Sequence, residues 1–278
     1  MPTVPSHPLR VAVAQAPATP GDLTGNAVLA GKLVRQAAAE RAVLVVLPEL
    51  FLPAYHPPAL DADPLGTDLL VKAGQLTDSR LWPIQEAVIQ TGIHAIVGAS
   101  VRVDGHRFIS ALHFRPDGKA LDAYHKQNLI IPDETDLFEA GRPGDTPGAI
   151  EVGDWVIGLG ICYDGCFPEH ARAAAIAGAH AYAVPMAYVH GSDHRRDLYY
   201  AARALDNTFY VLACNAVDGP QPWRFSGGSA IYDPEGQSMG QAPGSGEGLV
   251  VADLDPEFMG RTRAVHRMLA DLELARVS

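Results

Sequence analysis

Short apolar segments rich in valine and isoleucine alternate along this sequence with longer, alanine-rich segments. Apolar runs such as Ala42 to Leu47 and Val156 to Cys162 have the length of a buried strand, whereas a membrane span needs about 20 such residues in a row. The alanine-rich segment Asn26 to Arg41 carries Leu33 and Ala37 four residues apart, on one face of a predicted helix. Because each strand and helix must bury an apolar face, this alternation predicts an α/β fold built from packed layers.

Turn residues indicate where the strands reverse direction. Pro116-Asp117-Gly118 predicts a hairpin, and Gly92 predicts the end of a helix. We expect Ser229 to Tyr232 and Leu249 to Asp253 to be the two arms of a hairpin or longer loop around residues 234–236. Hairpins mixed with strand–helix alternation favour two mixed sheets covered by helices over a doubly wound parallel sheet. The other predicted strands are 9–15, 41–47, 95–101, 108–115, 120–124, 156–161, 181–185 and 209–214, and the predicted helices are 26–41, 82–91, 168–178 and 193–205.

Composition limits the domain organisation and the partners. Hydrophobic residues make up 47% of the 278 residues and charged residues 19%, a balance typical of a folded globular chain. Since no break in composition divides the chain, we predict one domain over residues 1–254 and a C-terminal arm, residues 255–278, that belongs to it. The 21 basic and 32 acidic residues give a net charge of −11, which disfavours nucleic acid and membrane surfaces as partners.

The cysteines and the N-terminal segment predict a cytoplasmic protein. Cys162, Cys166 and Cys214 are an odd and sparse set, unlike the cysteines of a disulfide framework. Residues Met1 to Arg10 contain no apolar stretch of the kind found in a secretory signal.

Three residues with reactive side chains follow predicted strands, where α/β proteins often place functional groups. They are Glu49, Lys126 and Cys162. Each alone is commonly a loop or core residue, but together they suffice for acyl transfer. The carboxylate can take the thiol proton, the ammonium can favour the thiolate and balance an oxyanion, and the sulfur can attack a carbonyl. The backbone N–H of Tyr163 would be a second oxyanion donor, and Asp164 would hold the turn at Cys162.

Recognisable sequence blocks surround these residues and continue along the chain. They are Pro48-Glu49, His125 to Leu129 with Glu134 and Phe138, Ile161 to Glu169, Gly178-Ala179 with Pro185, Arg203 to Asn207 with Tyr210 to Asn215, and Gly228-Ser229 with Asp233 to Gly236. In order and spacing, from Val11 to about Asp253, they resemble the nitrilase superfamily of carbon–nitrogen hydrolases. The resemblance implies a four-layer αββα sandwich in which Glu49 is the general base, Lys126 the oxyanion cation and Cys162 the nucleophile. It also implies that Glu134 orients the site, and it implies neither a cofactor nor a metal.

The nucleophile block indicates which bond is cleaved. Cys162-Tyr163-Asp164 is similar to the amidase and carbamoylase branches, whereas true nitrilases usually have Cys-Trp-Glu. We therefore expect a small amide as the substrate, with N-carbamoyl compounds or nitriles as alternatives and acyl transfer to an amine as an alternative reaction. Two departures from the family pattern stand close to the site. Cys166 replaces the arginine that suits ω-amidases to a substrate carboxylate, and Ala54 stands where the family often has glycine.

Residues near the predicted strand ends are candidates for substrate binding. They are Tyr55, Tyr163, Met186, Ala187 and Tyr188. A catalytically idle binding protein of the same fold is the alternative from another functional class. Such a protein would have no chemical need for all four reactive residues, so their presence together favours an enzyme.

Two histidine arrangements support other chemistries more weakly. Cys162 and His170 could form a papain-like pair, but a spacing of eight residues gives them no special geometry, and a surface histidine is the simpler interpretation. His190 and His194 have a metal-like spacing, but Gly191 and Ser192 between them indicate a loop, not one face of a helix.

The C-terminal arm contains many apolar side chains that need cover. They are Met259, Val265, Met268, Leu269, Leu272 and Leu274, interspersed with Arg261, Arg263, Arg267 and Arg276. The arm could fold back on its own subunit. In family members that resemble this chain it commonly reaches across a two-fold axis, so we expect a homodimer or a higher homo-oligomer.

Overall fold

The computed structural model describes the backbone of residues 4–277 and the side chains of residues 4–272; Leu274 and Arg276 of the arm and the first three residues lie outside the described side chains. In this range the strands are β1 (Leu9–Gln15), β2 (Leu44–Val46), β3 (Asp68–Leu70), β4 (Gln75–Leu76), β5 (His94–Val103), β6 (His106–Phe114), β7 (Ala120–His125), β8 (Ala149–Val152), β9 (Trp155–Leu159), β10 (Ala181–Met186), β11 (Tyr210–Asn215), β12 (Val217–Asp218), β13 (Phe225–Ser226), β14 (Ala230–Tyr232), β15 (Ser238–Gln241) and β16 (Gly248–Leu254). The helices are α1 (Leu23–Ala39), α2 (Pro57–Ala62), α3 (Pro64–Thr67), α4 (Trp82–Thr91), α5 (Pro168–Ile176), α6 (Asp193–Asn207), α7 (Pro256–Val265) and α8 (Met268–Val277), with short 3₁₀ helices at Ser79–Leu81 and Cys162–Cys166.

The larger sheet is built mainly from the N-terminal half of the chain. Its eight strands within the described range have the order β16-β1-β2-β5-β6-β7-β4, with β3 paired to β5 beside this path. β1, β2 and β5 are parallel, whereas β6 returns antiparallel to β5 and β7 antiparallel to β6. β2 and β7 therefore run in the same direction and end at the same edge of the sheet.

The smaller sheet has six strands in the described part of the chain, in the order β15-β14-β11-β10-β9-β8. β9, β10 and β11 are parallel, and antiparallel strands β8 and β14 flank them. Both large sheets are therefore mixed, as the combination of hairpin signals and strand–helix alternation predicts.

Alternation along β1 shows how the layers form. Val11 and Val13 are buried in the same core as Leu212 of the smaller sheet, whereas Ala12 and Ala14 are buried with α1 on the opposite face. α1 packs against α4 outside the larger sheet, and α5 packs against α6 outside the smaller one. The predicted αββα sandwich of two mixed sheets is confirmed.

The pairing predicted for the last two strands is wrong. The turn at residues 234–236 does close a hairpin, but the partner of β14 is β15, not residues 249–253. Those residues belong to β16, which pairs antiparallel with β1 in the other sheet. The reason is that β16 is apolar on both faces: Val250 packs into the core between the sheets and Val251 against the core under α1. Such a strand buries the most apolar surface in a sheet that is covered on both faces.

Turn and capping residues set the helix ends. α4 has the predicted bounds, and Gly92 ends it in the left-handed conformation, with φ 74°. α1 begins three residues before its predicted start because the Asp22 carboxylate accepts the backbone N–H of Gly25 and caps the helix. Over the described residues, no helix combines the length and the apolar character that crossing a bilayer requires.

Candidate active site

The three strand ends that carry the predicted reactive residues converge at one edge of the sandwich. Glu49 follows β2 and Lys126 follows β7, so both leave the same edge of the larger sheet. Cys162 follows β9 of the smaller sheet. The Glu49 loop lies close against β5, where the N–H of Gly98 donates to the carbonyl of Pro48 at 3.2 Å. That approach leaves no room for a Cβ at residue 98, so glycine there permits the position of Glu49.

The Lys126 ammonium lies between two carboxylates in the protein interior. Its Nζ is 2.7 Å from Glu49 Oε1 and 2.6 Å from Glu134 Oε1, and the lysine is fully buried. Burial by itself would lower the pKa of Lys126, but the charges of Glu49 and Glu134 raise it above its ordinary value. The side chain therefore keeps its positive charge, and two of its three N–H groups are used by the carboxylates.

The two carboxylates differ in how completely they are hydrogen-bonded. Glu134 Oε1 also accepts the hydroxyl of Tyr55 at 2.9 Å, and Oε2 accepts the N–H of Ile130 at 2.9 Å. Glu49 Oε2, in contrast, is buried and has no hydrogen-bond partner among the described residues. Burial raises the pKa of Glu49 to about 7, against the opposing effect of the Lys126 ammonium and with a further rise from Glu134. Glu49 is thus the carboxylate equipped to accept a proton near neutral pH.

Cys162 is held in a tight turn at the start of the 3₁₀ helix. Its φ is 44°, in the left-handed region that a cysteine rarely adopts. The Tyr200 hydroxyl from α6 donates to the carbonyl of Cys162 at 2.8 Å and helps to fix this conformation. Backbone strain of this kind costs about 1–3 kcal/mol and persists where the surrounding contacts enforce it.

Burial and the charge of Glu49 raise the pKa of the Cys162 thiol well above its ordinary value, and they outweigh the opposing effect of Lys126. The resting sulfur is therefore a neutral thiol. The expectation that Lys126 favours a thiolate is right in direction, but the lysine does not determine the protonation state. A hydrogen bond from the backbone N–H of Ala187 also lowers this pKa, so the end of β10 adjoins the sulfur.

Asp164 connects the nucleophile turn to the lysine loop. Its carboxylate accepts the N–H of Ile161 at 3.0 Å and both the backbone and side-chain N–H groups of Asn128, at 2.9 and 2.8 Å. The Tyr124 hydroxyl donates to the same carboxylate at 2.8 Å. The sequence indicated the role of Asp164 in the turn. It did not indicate that Asn128, Tyr124 or Tyr200 contacts this turn, because these partners come from distant parts of the chain.

A cavity of about 340 Å³ opens over Cys162. Four of the five predicted substrate-binding residues line it, namely Tyr55, Tyr163, Ala187 and Tyr188. Met186 does not; it is fully buried in β10. The remaining lining residues were not predicted and are Ile130, Asp133, Cys166, Val189, Ser192, Arg195, Tyr199, Trp223 and Phe225. Volumes near the lower end of the range for ligand pockets suit a small molecule.

The alternative pair of Cys162 and His170 does not form. His170 is partly buried rather than a surface residue, and its ring nitrogens bond the hydroxyls of Tyr124 and Tyr182, at 2.6 and 2.8 Å, instead of Cys162. Among the residues that the structure describes, no cluster of three or more histidine, cysteine, aspartate or glutamate side chains could hold a metal ion.

Comparison with known proteins identifies the family. The carbon–nitrogen hydrolase family model matches residues 10–264, which include all four predicted reactive residues. The chain belongs to the carbon–nitrogen hydrolase family. The resemblance inferred from the sequence blocks is therefore confirmed.

Alignments with relatives cover nearly the whole length of this carbon–nitrogen hydrolase. It is 33% identical over 267 residues to a Pseudomonas protegens protein named "Hydrolase in pqqF 5'region", covering 95% of this chain and 88% of that protein. It is 29% identical over 272 residues to omega-amidase NIT3 of Saccharomyces cerevisiae, covering 91% and 89% of the two chains.

Solved structures give the same result. A cysteine-to-alanine mutant of the amidase from Nesterenkonia sp. AN1, in complex with butyramide, matches with a TM-score of 0.78 and 29% identity over 95% of this chain and 98% of that one. Saccharomyces cerevisiae Nit3 matches with a TM-score of 0.81 and 25% identity over 94% of each chain. The prediction of an amidase-type carbon–nitrogen hydrolase is confirmed.

Proposed function

We propose that this carbon–nitrogen hydrolase is an amidase that releases ammonia and a carboxylic acid from a small amide through a thioester on Cys162. One observation carries the proposal: the neutral Cys162 thiol adjoins a buried glutamate, Glu49, that has a pKa of about 7 and one oxygen without a partner among the described residues. A nucleophile that is protonated at rest needs a base beside it, and Glu49 meets that need.

Acylation begins when Glu49 Oε2 takes the thiol proton as Cys162 Sγ bonds to the amide carbon. The electron pair of the carbonyl π bond moves onto oxygen and forms a tetrahedral oxyanion. When this intermediate collapses, the C–N bond breaks and the leaving nitrogen takes the proton from Glu49. Ammonia departs, and the acyl group remains as a thioester on Cys162.

Lys126 stabilises the oxyanion in this proposal. Two of its ammonium hydrogens are directed to Glu49 and Glu134, which leaves the third for the developing negative charge. The backbone N–H of Tyr163, in the turn after the nucleophile, would be the second donor. Glu134, whose oxygens already accept three hydrogen bonds, positions the ammonium and takes no proton itself.

Deacylation reverses the proton transfers with water in place of ammonia. Glu49 removes a proton from water as its oxygen bonds to the thioester carbon, and the C–S bond breaks when the second oxyanion collapses. The sulfur recovers the proton from Glu49, and the carboxylic acid leaves. Each proton is returned within the cycle, so a single buried base serves both halves.

The named relatives support an amide over the alternative substrates, and the size of the cavity suits a short one. A space of about 340 Å³ accommodates a short acyl chain. The Nesterenkonia amidase was solved with butyramide, and several relatives are named omega-amidases. These are properties of those proteins, and they support the same reaction class for this chain.

The test combines a substrate panel with trapping of the acyl-enzyme. Short aliphatic amides, N-carbamoyl compounds and nitriles are compared by ammonia release, and the acid-quenched enzyme is analysed by peptide mass spectrometry. We expect amides to be hydrolysed fastest and an acyl adduct to appear on Cys162. Cys162→Ala should lose turnover and adduct, while Cys166→Ala, which alters a second cysteine in the same cavity, keeps the adduct. Turnover by Cys162→Ala would contradict the mechanism. A wild-type protein that binds amides without any turnover would instead be the catalytically idle binding protein.

A further inference from the structure

His170 joins helix α5 to one strand of each sheet. It is the third residue of α5, and its ring reaches two buried hydroxyl groups. Nε2 lies 2.6 Å from the hydroxyl oxygen of Tyr124 in β7, and Nδ1 lies 2.8 Å from that of Tyr182 in β10. The Tyr124 hydroxyl is also 2.8 Å from the Asp164 carboxylate. His170 is therefore separated by a single hydroxyl from the carboxylate that joins the nucleophile turn to the loop of Lys126.

The contacts of Asp164 set the direction of the hydrogen bonds around Tyr124. Both oxygens of Asp164 already accept backbone N–H groups, from Ile161 at 3.0 Å and from Asn128 at 2.9 Å. The carboxylate is thus an acceptor in this network, and the hydrogen between it and Tyr124 comes from the hydroxyl. A tyrosine hydroxyl has only one hydrogen. The hydrogen of the 2.6 Å contact must therefore come from Nε2 of His170.

The ring of His170 has one N–H group to give. Burial lowers the pKa of His170, against the opposing charge of Asp164, so the ring is neutral at neutral pH. With its hydrogen on Nε2, the ring donates to Tyr124 and accepts the hydroxyl of Tyr182 at Nδ1. With the hydrogen on Nδ1, the bare Nε2 would draw the hydroxyl hydrogen of Tyr124 away from Asp164. Two oxygens would then lie 2.8 Å apart with no hydrogen between them.

We propose that His170 is a positioning residue for the amidase reaction, because its Nε2–H holds the Tyr124 hydroxyl in the orientation that donates to Asp164. His170 does not line the cavity over Cys162, so we expect it to affect kcat and not the binding of the substrate. The kinetic part of this inference rests on the proposed function.

The nucleophile turn depends on contacts of this kind. Cys162 has a φ of 44°, a conformation that persists where neighbouring groups enforce it. Asp164 is one of these groups, since it accepts the N–H of Ile161, the residue before the nucleophile. Without the donor from His170, the Tyr124 hydroxyl keeps one restraint instead of two, and Asp164 is held less firmly. Fewer molecules then present the sulfur in the reactive geometry, which lowers kcat.

Two amide substitutions separate the roles of the two ring nitrogens. A glutamine amide reaches the position of Nε2 and donates to Tyr124, whereas an asparagine amide reaches the position of Nδ1 and accepts from Tyr182. Each variant therefore keeps one of the two hydrogen bonds. We expect His170→Asn to lower kcat for isocaproamide about three- to tenfold, the effect of one neutral hydrogen bond, with KM nearly unchanged. His170→Gln should keep nearly the kcat of the wild type.

Tyr124→Phe removes the hydroxyl through which His170 acts. In that background His170→Asn and His170→Gln should have the same kcat, because the effects of two residues in one network are not additive. Tyr182→Phe is the matched control, since it removes the other hydroxyl beside the ring and should leave kcat unchanged. Chemical denaturation of every variant shows whether kcat follows stability. Equal loss of kcat in His170→Asn and His170→Gln, or a larger loss in His170→Gln, would overturn the positioning role.

Nitrogen NMR of the wild-type enzyme with isotope-labelled histidine tests the direction of the hydrogen bonds with every contact in place. The signals of His170 are identified by their absence from whichever of the two variants is folded. We expect a neutral ring with its hydrogen on Nε2. A ring with its hydrogen on Nδ1 would overturn the inference, because Nε2 would then compete with Asp164 for the hydroxyl of Tyr124.

The results separate failure of this inference from failure of the proposed function. If the wild type hydrolyses isocaproamide through Cys162 and the two His170 variants have the same kcat, the amidase stands and the positioning role is wrong. If the wild type releases ammonia from no amide and forms no adduct on Cys162, the proposed function fails and the positioning role fails with it. The tautomer of His170 then still decides the direction of the hydrogen bonds.

Discussion

Glu49 has a pKa of about 7 because it is buried, and its working form in the proposed mechanism is the deprotonated one. A base with a raised pKa is protonated, and so inactive, when the pH falls below that pKa. We predict that kcat/KM for isocaproamide, an uncharged amide, decreases as the pH is lowered through about 7. A single titrating group should lower kcat/KM about tenfold per pH unit well below its pKa. A pH profile of initial rates measures this. Constant kcat/KM down to pH 5 would contradict the assignment of Glu49 as the base.

Glu134→Gln tests whether the two carboxylates are coupled. The negative charge of Glu134 raises the pKa of Glu49, so its removal should move the acid limb of the profile to lower pH. Activity at the plateau should be reduced but measurable, because Lys126 loses one of its two charged partners and keeps a neutral acceptor there. Glu49→Gln should have no measurable turnover at any pH. Equal and complete loss of activity in both variants would contradict the assignment of Glu49 as the base and Glu134 as the carboxylate that positions Lys126.

Lys126→Met removes the proposed oxyanion cation. Loss of one preorganised oxyanion donor typically lowers kcat by about 10²–10³, and a charged donor should cost at least that much. The variant also leaves two buried carboxylates without their cation, so we expect a loss of about 3–5 kcal/mol in the free energy of unfolding. Steady-state kinetics and chemical denaturation measure the two effects, with the exposed Lys119→Met as control. A change in KM alone would assign Lys126 to substrate binding instead.

Ala54 adopts a conformation that suits glycine. Its φ is 58°, in the left-handed region, which a glycine would adopt without strain. The loop after Glu49 therefore keeps that backbone conformation although the residue is alanine. We predict that Ala54→Gly increases the free energy of unfolding by up to about 1 kcal/mol, since it relieves the strain at Cβ. Thermal unfolding of the variant measures this, and a clear destabilisation would contradict it.

At the scale of elements, the Asp164 carboxylate ties the 3₁₀ helix at residues 162–166 to the loop that carries Lys126. Asp164 accepts N–H groups from Ile161 and Asn128 and the hydroxyl of Tyr124, so it joins the nucleophile turn to the loop after β7. Asp164→Asn would direct amide hydrogens toward some of these donors and leave them unsatisfied. We predict a loss of about 2 kcal/mol or more in stability and a lower kcat, measured by denaturation and initial rates. A stable variant with normal kcat would show that the contacts from α6 hold the turn without Asp164.

Sequence reasoning located elements whose signals are local. The helix 82–91 begins with Trp82-Pro83 and ends at Gly92, and all the information that fixes its bounds lies within it or next to it. β16 could not be placed in this way, because its partner β1 lies more than 230 residues earlier in the chain. The turn at residues 234–236 fixed a hairpin but not the identity of its second strand, since Ser238–Gln241 is short and largely exposed.

In the candidate site, too, the residues with local sequence signals were predicted and those placed by long-range packing were not. Glu49, Lys126 and Cys162 were predictable because each follows an apolar strand and carries a reactive group. Arg195 and Tyr200 were not, because α6 follows the nucleophile by about 30 residues and nothing in its sequence shows which of its side chains reach the turn or the cavity. Their contributions depend on how α6 packs outside the smaller sheet, which is a property of the assembled layers.

At the scale of the whole molecule, the first part of the C-terminal arm belongs to its own subunit. Met259 of α7 is fully buried, and Arg263 donates to the carbonyls of Thr208 and Ala179 at 3.1 and 3.3 Å. The part of the arm that forms α7 is therefore packed against its own subunit. Val265 is 75% exposed, and Met268 at the start of α8 is 39% exposed.

α8 packs against α6, and α6 itself exposes apolar surface. Leu198 of α6 is 67% exposed and Leu205 is 40% exposed, so α6, like the start of α8, carries exposed apolar side chains that a second copy would cover. A two-fold axis would bury the same surface on both subunits.

We therefore predict that the full chain is at least a dimer, and that a shortened chain ending at His266, which keeps the buried α7, dissociates to a monomer at micromolar concentration. Sedimentation velocity measures both chains: a monomeric full chain would contradict the dimer, and a shortened chain that stays dimeric would show that α8 is not part of the interface. Leu198→Asp in the full chain separates the contributions, since it should weaken the dimer without altering α7 or α8.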